Sequence, residues 1–291
     1  MKIAILGARG FLGQVLGRLL VAHGHDVTGY VLNPDLENNL DFKCQSVSKL
    51  LSSSVIGKST YDVTINLAAR RSTRSQPLTE AEVDKFTYQI PKEFIMCTTS
   101  SQTIVVNAST YIQNFEGETS RTVDSYGAAK EKLSQFLEKQ SSEGKFKTKD
   151  LFFFTLYGLG DRPSHLVPLL LNAAKSGNQI ALSPGDQLMN LLYVSDAAQN
   201  ILNSISLESG SSYNKYRVWS EDYYTIKQLV LAIESTIGMK INCDWGSREY
   251  AGHEMMEPWS IPMQKLSNFV APTTLTNGIL KIWESIESGR P

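Results

Sequence analysis

The chain has 291 residues, with 28 Lys+Arg against 29 Asp+Glu, 42% hydrophobic and 20% charged residues; such values exclude disorder, collagen and coiled coil. A formal net charge of −1 lacks the clustered excess of Lys and Arg that phosphate neutralisation requires, so no nucleic-acid partner is expected. Cys44, Cys97 and Cys243 follow no metal spacing, no run approaches the roughly 18 apolar residues of a membrane span, and the apolar start Ile3-Ala4-Ile5-Leu6 stops at Gly7-Ala8-Arg9-Gly10, so reduced thiols, no metal, no membrane partner, no export signal and a cytoplasmic location are expected.

Apolar runs of strand length alternate with amphipathic segments through the first 160 residues, the pattern of βαβ units and a parallel sheet. Strands are predicted at Lys2–Leu6, Val27–Val31, Asp62–Leu67 and Ile104–Ala108, and as one continuous buried run at Leu151–Leu156; helices are predicted at Gly13–His23 and Tyr126–Gln140. The stretches Ser46 to Ser59 and Ser141 to Asp150 keep no period for long and are predicted to be surface connections. Beyond Gly158 the pattern changes to a Gly/Pro-punctuated loop, a helix near Leu166–Ser176, a short strand near Gln179–Leu182 and a segment Tyr193–Ser206. The expected fold class is α/β: a doubly wound parallel sheet in residues 1–160, and a smaller C-terminal lobe in 161–291 interleaved with the last elements of the sheet.

Gly7-Ala8-Arg9-Gly10-Phe11-Leu12-Gly13 joins the first strand directly to the first helix, which gives the G-x-x-G-x-x-G spacing its meaning. A dinucleotide pyrophosphate needs the backbone close, and the helix N-terminus offers free N–H groups and a positive dipole end. Sites for NAD place an acid at the end of the second strand, where Tyr30-Val31-Leu32-Asn33 has none. A 2′-phosphate is then not repelled, and Arg9 is placed to reach it, so NADP is expected over NAD; Asp35 is left as a displaced acid in the alternative.

Tyr-x-x-x-Lys occurs at Tyr88/Lys92, Tyr126/Lys130 and Tyr223/Lys227. Pro91 interrupts the first and the third lies in the second lobe, whereas Tyr126 follows the strand Ile104–Ala108 and opens a helix of small residues. At helical i, i+4 spacing Lys130 brings an ammonium toward the Tyr126 phenol and makes that hydroxyl a proton relay. Ser109 and Thr110 supply hydroxyls at a carboxyl strand end; Ser109 is the expected partner of the substrate oxygen, with Thr110 as one alternative and a mere turn cap by both residues as the other.

Together with Asn66-Leu67-Ala68-Ala69, Tyr157-Gly158-Leu159-Gly160 and Tyr193-Val194-Ser195-Asp196, these motifs stand in the order of the extended short-chain dehydrogenase/reductases, and the chain resembles their NAD(P)-dependent epimerase/dehydratase branch over nearly its whole length. The resemblance implies a Rossmann domain, a small lobe for a nucleotide-activated sugar, and a homodimer through a four-helix bundle. It makes Ser109, Tyr126 and Lys130 the catalytic triad, lines the cofactor with Leu67, Ala68 and Ala69, and brings Thr155 and Leu156 toward the nicotinamide. Thr87 falls where the family usually has Asn. Met189 replaces the family's arginine on the substrate diphosphate, for which Arg70, Arg71 and Arg74 are possible substitutes, and His165 matches the place of an acid/base histidine in one branch.

Tyr126 follows Ser109 by only 17 residues, and Tyr111-Ile112 stands where a dehydratase has an acidic pair. The chain is therefore similar to the 4-ketoreductases that make CDP-abequose, CDP-paratose or GDP-fucose for surface polysaccharide such as O-antigen. A 4-epimerase with tightly bound NAD is the alternative, and a non-catalytic NAD(P)-sensing or assembly protein is the alternative of another class.

Overall fold

The computed structural model describes residues 1–32, 40–52, 60–73, 76–252 and 254–289. In chain order the elements are β1 (Lys2–Leu6), α1 (Phe11–Ala22), β2 (Asp26–Val31), β3 (Lys43–Ser46), α2 (Val47–Ser52), β4 (Val63–Asn66), α3 (Glu80–Asp84), α4 (Ile90–Thr98), β5 (Ile104–Thr110), α5 (Ser125–Ser142), β6 (Lys147–Phe153) and β7 (Thr155–Tyr157). They continue as α6 (Leu166–Ser176), β8 (Ile180–Leu182), β9 (Leu188–Met189), β10 (Leu191–Tyr193), α7 (Val194–Ile205), β11 (Tyr213–Arg217), β12 (Tyr224–Thr225), α8 (Ile226–Ile237), β13 (Cys243–Trp245) and α9 (Leu275–Ser288). A π-helical turn at Lys85–Gln89 joins α3 to α4.

The chain divides into two compact units, the first made of Met1–Phe153, Ala198–Val218 and Ile261–Phe269. Its described residues form a seven-stranded sheet in the order β11-β6-β5-β4-β1-β2-β3, with every neighbouring pair parallel. The order grows outward from β1 in both directions, so the carboxyl ends of β1 and β4 flank the point where the winding reverses, where open α/β sheets bind ligands. Ile3, Ala4 and Ile5 have no exposed surface because helices cover both faces, which is why β1 reads as an unbroken apolar run. On one face Phe94 and Ile95 of α4, and Leu133 and Leu137 of α5, pack with Leu6, Tyr30 and Val105.

Three local expectations are corrected. Val47–Ser52, inside the predicted connection Ser46 to Ser59, is a helix; 53–59 lie outside the described residues. Lys147 to Asp150 are strand, not connection: Thr148 shares a hydrogen bond with Ser141 Oγ (2.8 Å), Lys149 Nζ donates to Ser209 Oγ (2.7 Å), and Asp150 accepts from the Tyr213 hydroxyl (2.8 Å). These satisfied polar residues hide the strand's burial from a hydrophobic pattern. The predicted run Leu151–Leu156 breaks at Phe154, and Thr155 opens β7, which pairs with β10 and not with the large sheet.

The second unit comprises Phe154–Ala197, Trp219–Ser260 and Val270–Pro291. It holds three two-stranded pairs, β7 with β10, β8 with β13 and β9 with β12, among helices α6, α8 and α9. Phe154 packs edge-on against Trp219 at 4.7 Å between ring centroids. The Asp196 carboxylate accepts from both the N–H and the hydroxyl of Thr273 at 2.9 Å, tying the start of α7 to the segment before α9. Among the described residues no helix is long and apolar enough to cross a membrane.

Candidate active site

Gly7 ends β1 with φ +86°, and its N–H donates to Tyr30 O (3.0 Å). A Cβ at Gly7 would meet Ala68 N at 3.0 Å and Leu67 C at 3.1 Å, and one at Gly13 would collide with the Gly7 carbonyl oxygen. The turn therefore lies against Leu67 and Ala68 after β4, with no room for side chains. Gly10, exposed and extended, caps α1 without a side-chain bond, and α1 carries no acid in its first turn. Phe11, Leu12 and Gly13 contribute first-turn N–H groups that have no acceptor within the helix, a setting that favours an anion. This cradle fits a dinucleotide pyrophosphate.

Burial pushes the Cys44 thiol of β3 up, while the Arg9 charge pulls the other way. Asn33, Asp35 and Arg74 lie outside the described residues. On the other side of the turn, the fully buried Thr87 uses one hydroxyl twice: it accepts from Arg70 N–H (3.1 Å) and donates to Arg70 O (3.2 Å). Thr87 sits in the π-helical turn, and this pair of bonds holds the loop that carries Ala68 and Ala69. The Arg70 guanidinium lies 4.8 Å from the Phe86 ring centroid.

Asp124 caps α5 by accepting from Gly127 N–H (2.8 Å), which starts the helix where Tyr126 and Lys130 fall one turn apart on one face. The same carboxylate accepts from Arg71 Nη2 (2.9 Å), and the Arg71 guanidinium lies 5.8 Å from the Tyr126 ring centroid. Burial raises the Tyr126 phenol to about 12, opposed by Arg71 and reinforced by Asp124 and Tyr111. Burial lowers Lys130 to about 8, opposed by the Asp150 charge. Near neutral pH Tyr126 is thus a phenol and Lys130, one helical turn on, an ammonium. Lys130 Nζ donates to Ala108 O (2.5 Å) at the end of β5.

Ser109 faces α5 but is fully engaged there. Its hydroxyl donates to Asp150 Oδ1 (2.6 Å), accepts from Asn107 Nδ2 (3.0 Å) and lies 3.2 Å from Ser134 Oγ. Thr110, 8% exposed, ends the strand, and its N–H donates to Gln113 Oε1 (3.0 Å). The first unit therefore brings together the glycine turn, Leu67 to Ala69 and Thr87 on one side of the sheet's winding reversal, and Ser109, Thr110, Tyr126 and Lys130 at the end of β5.

In the second unit Thr155 and Leu156 are half-buried in β7, opposite Leu191 and Leu192. His165 precedes α6 with an exposed imidazole, and its Nδ1 lies 2.6 Å from the buried Asp161 carboxylate. Met189 pairs with Tyr224. Sequence reasoning missed Asp124, Asp150 and Tyr213. No local signal marks Asp150, because it follows the polar Lys147-Thr148-Lys149 and its partners are set by strand register.

A glycine-turn parallel sheet with a Tyr/Lys helix beside β5 defines an NAD(P)-dependent enzyme of the short-chain dehydrogenase/reductase type. The model of the NAD dependent epimerase/dehydratase family matches residues 3–218, and the chain belongs to that family. The CDP-abequose synthase of Yersinia pseudotuberculosis is 25% identical over 266 residues, covering 89% of this chain and 92% of that protein. Among solved structures, MoeE5 in complex with UDP-glucose and NAD superposes with a TM-score of 0.84 at 18% identity, over 99% of each chain. The UDP-glucuronic acid 4-epimerase from Bacillus cereus, in complex with UDP-glucuronic acid and NAD, gives 0.81 at 17%, again over 99% of each chain. The fold is that of these sugar-nucleotide enzymes.

Proposed function

We propose that the protein reduces a keto group of a nucleotide-activated deoxysugar, a 4-keto-6-deoxyhexose, with NADPH. The observation that carries the proposal is Tyr126 on α5 one helical turn before the buried Lys130, which is bonded to the end of β5, because ketone reduction requires a proton donor to the developing alkoxide. The 25% identity to a CDP-abequose synthase over most of both chains supports reduction of a CDP-linked sugar for surface polysaccharide. Arg9 in the glycine turn, with no acid among Tyr30 to Asn33, supports NADPH, since a guanidinium fork suits a 2′-phosphate.

Gly7, Gly10, Phe11, Leu12 and Gly13 would hold the pyrophosphate, Leu67 to Ala69 and Thr87 one flank of the cofactor, and Thr155 and Leu156 the nicotinamide end. When bound, the nicotinamide cofactor supplies the hydride equivalent. Tyr126 gives its phenolic proton to the substrate oxygen. Lys130 keeps positive charge one helical turn away, which lowers the cost of the phenolate left behind. With the Ser109 hydroxyl engaged by Asp150, Asn107 and Ser134, Thr110 orients the carbonyl, and Arg70 and His165 contact the sugar nucleotide. The first unit would bind cofactor and the second substrate, in a cytoplasmic homodimer.

Solved 4-epimerases with NAD favour a second reading, in which bound NAD is used twice per turnover. Fluorescence titration with NADPH and NADH, followed by assay of nucleotide-linked 4-keto-6-deoxyhexoses, separates the two. NADPH preference with release on dilution is expected for the reductase; NAD retained through gel filtration means the epimerase.

A further inference from the structure

Glu131 follows Lys130 on α5 and is 6% exposed. Both of its carboxylate oxygens are engaged. Oε2 accepts from Gln113 Nε2 (3.1 Å), and Oε1 accepts from the Ser120 hydroxyl (2.7 Å) and from Gln135 Nε2 (3.1 Å) on the next turn of the helix. Gln113, with no exposed surface, carries the connection on to β5: its Oε1 accepts from Thr110 N–H (3.0 Å), and its Nε2 also donates to Ser134 Oγ (3.1 Å). With bonds on both sides of the amide, the orientation of Gln113 is fixed. A buried carboxylate is costly unless donors reach it. Here two of the donors come from opposite ends of one segment, 111–120, which leaves Thr110 and leads to Tyr126.

The segment also closes on itself and lies against the helix. Phe115 N–H donates to Arg121 O (2.7 Å), and Arg121 Nη1 donates to the carboxylates of Glu116 (2.8 Å) and Glu118 (2.7 Å). A Cβ at Gly127, in the first turn of α5, would meet Ile112 Cγ2 at 3.3 Å and Thr122 Cβ at 3.4 Å. Glu116 and Ser120 hold φ of 55° and 61°, a conformation that persists where surrounding bonds over-determine it. We propose that Glu131 is a positioning residue of the active site: one buried carboxylate holds both the entry and the exit of the segment that joins Thr110 to Tyr126, and so fixes the strand end carrying Thr110 against the helix carrying the proton donor. Glu131 acts through Gln113 on the Thr110 backbone and through Ser120 on the approach to α5. A bound carbonyl needs both groups placed at once, and a small misplacement of either costs turnover.

The inference rests on the roles proposed for Thr110 and Tyr126, but one readout of its test needs no turnover. Hydrogen exchange with peptide mass spectrometry on the cofactor-free full chain compares the amides of 110–122 with those of β1 and β2. In Glu131→Gln, whose amide keeps one acceptor oxygen in place of two, exchange in 110–122 rises about tenfold while β1 and β2 are unchanged. On a nucleotide-linked 4-keto-6-deoxyhexose its kcat falls about tenfold or more, and the dissociation constant for NADPH stays at the parent value. The exchanged pair, Gln113→Glu with Glu131→Gln, keeps a donor facing an acceptor between the two side chains and recovers both the protection and most of kcat. Ser120→Ala, at an exposed position, removes the exit bond alone and decides the matter by its own rise in 110–122 should Glu131→Gln not fold. Unchanged exchange in 110–122 overturns the proposal, and so does a rise shared equally by β1 and β2, which makes Glu131 a general stabilising residue. Faster exchange in 110–122 with kcat intact overturns it as well. Failure of the parent to reduce any sugar ketone overturns the proposed activity, and the exchange result then still decides whether Glu131 holds the segment.

Discussion

Lys130 of α5 donates through Nζ to the carbonyl oxygen of Ala108 at the end of β5, at 2.5 Å. That bond anchors the helix carrying Tyr126 to the strand carrying Ser109 and Thr110, and it leaves an ammonium of lowered basicity at the sheet's carboxyl edge.

The lysine gives stability a signature in pH. Its folded value, about 8, lies below the unfolded value of about 10.5, so the unfolded chain binds more protons between these limits, and stability from this group rises as pH increases through them. Lys130→Met removes the effect. Denaturant titrations of both proteins at pH 7.5 and pH 10 should show the parent gaining on the variant by roughly 2–3 kcal/mol.

Gly13→Ala puts a methyl group into the Gly7 carbonyl. The turn must shift, costing on the order of 1–3 kcal/mol and weakening dinucleotide binding. Melting and fluorescence titration check both. Gly144→Ala, where φ is +73° but nothing lies within 4 Å, should cost stability without changing cofactor affinity.

Thr87→Val deletes both bonds to the Arg70 backbone and leaves its N–H and carbonyl without that partner. A loss of about 1–3 kcal/mol is expected, with a raised KM for the dinucleotide, and Thr87→Ser should restore most of it. Equal damage in both variants would argue against the hydroxyl's role.

Asp124→Ala removes the cap of α5 and the partner of Arg71. Helix-cap losses run about 0.5–2 kcal/mol, and the change should appear in melting. Asp124→Asn keeps the cap and removes the charge that helps raise Tyr126, so activity in the oxidative direction, where phenolate is needed, should reach its plateau at lower pH.

Arg9→Ser should raise the KM for NADPH about tenfold or more while changing that for NADH little, because only the former carries the 2′-phosphate. Kinetics with both cofactors measure it.

The fold was legible where burial and hydrophobicity coincide. Ile3 to Leu6, Val105 and Val106, and the helix Leu166–Ser176 announce themselves by apolar runs and period. It was hidden where burial is polar, since Thr148, Lys149 and Asp150 are strand residues satisfied by side chains distant in sequence. The turn at Gly7 and Gly13 and the stacking of Tyr126 and Lys130 on one helix were legible from spacing, because turn geometry and helix pitch are local. The saturation of Ser109 by Asp150, Asn107 and Ser134 depends on strand register and helix docking, which no local spacing encodes.

Reduction of a sugar ketone is tested by mixing the purified protein with NADPH and a nucleotide-linked 4-keto-6-deoxyhexose and following nicotinamide absorbance together with the sugar product. One NADPH consumed per ketone lost, abolished in Tyr126→Phe, is the expected result. Constant absorbance with interconversion of UDP-sugars by NAD retained on the protein would contradict it.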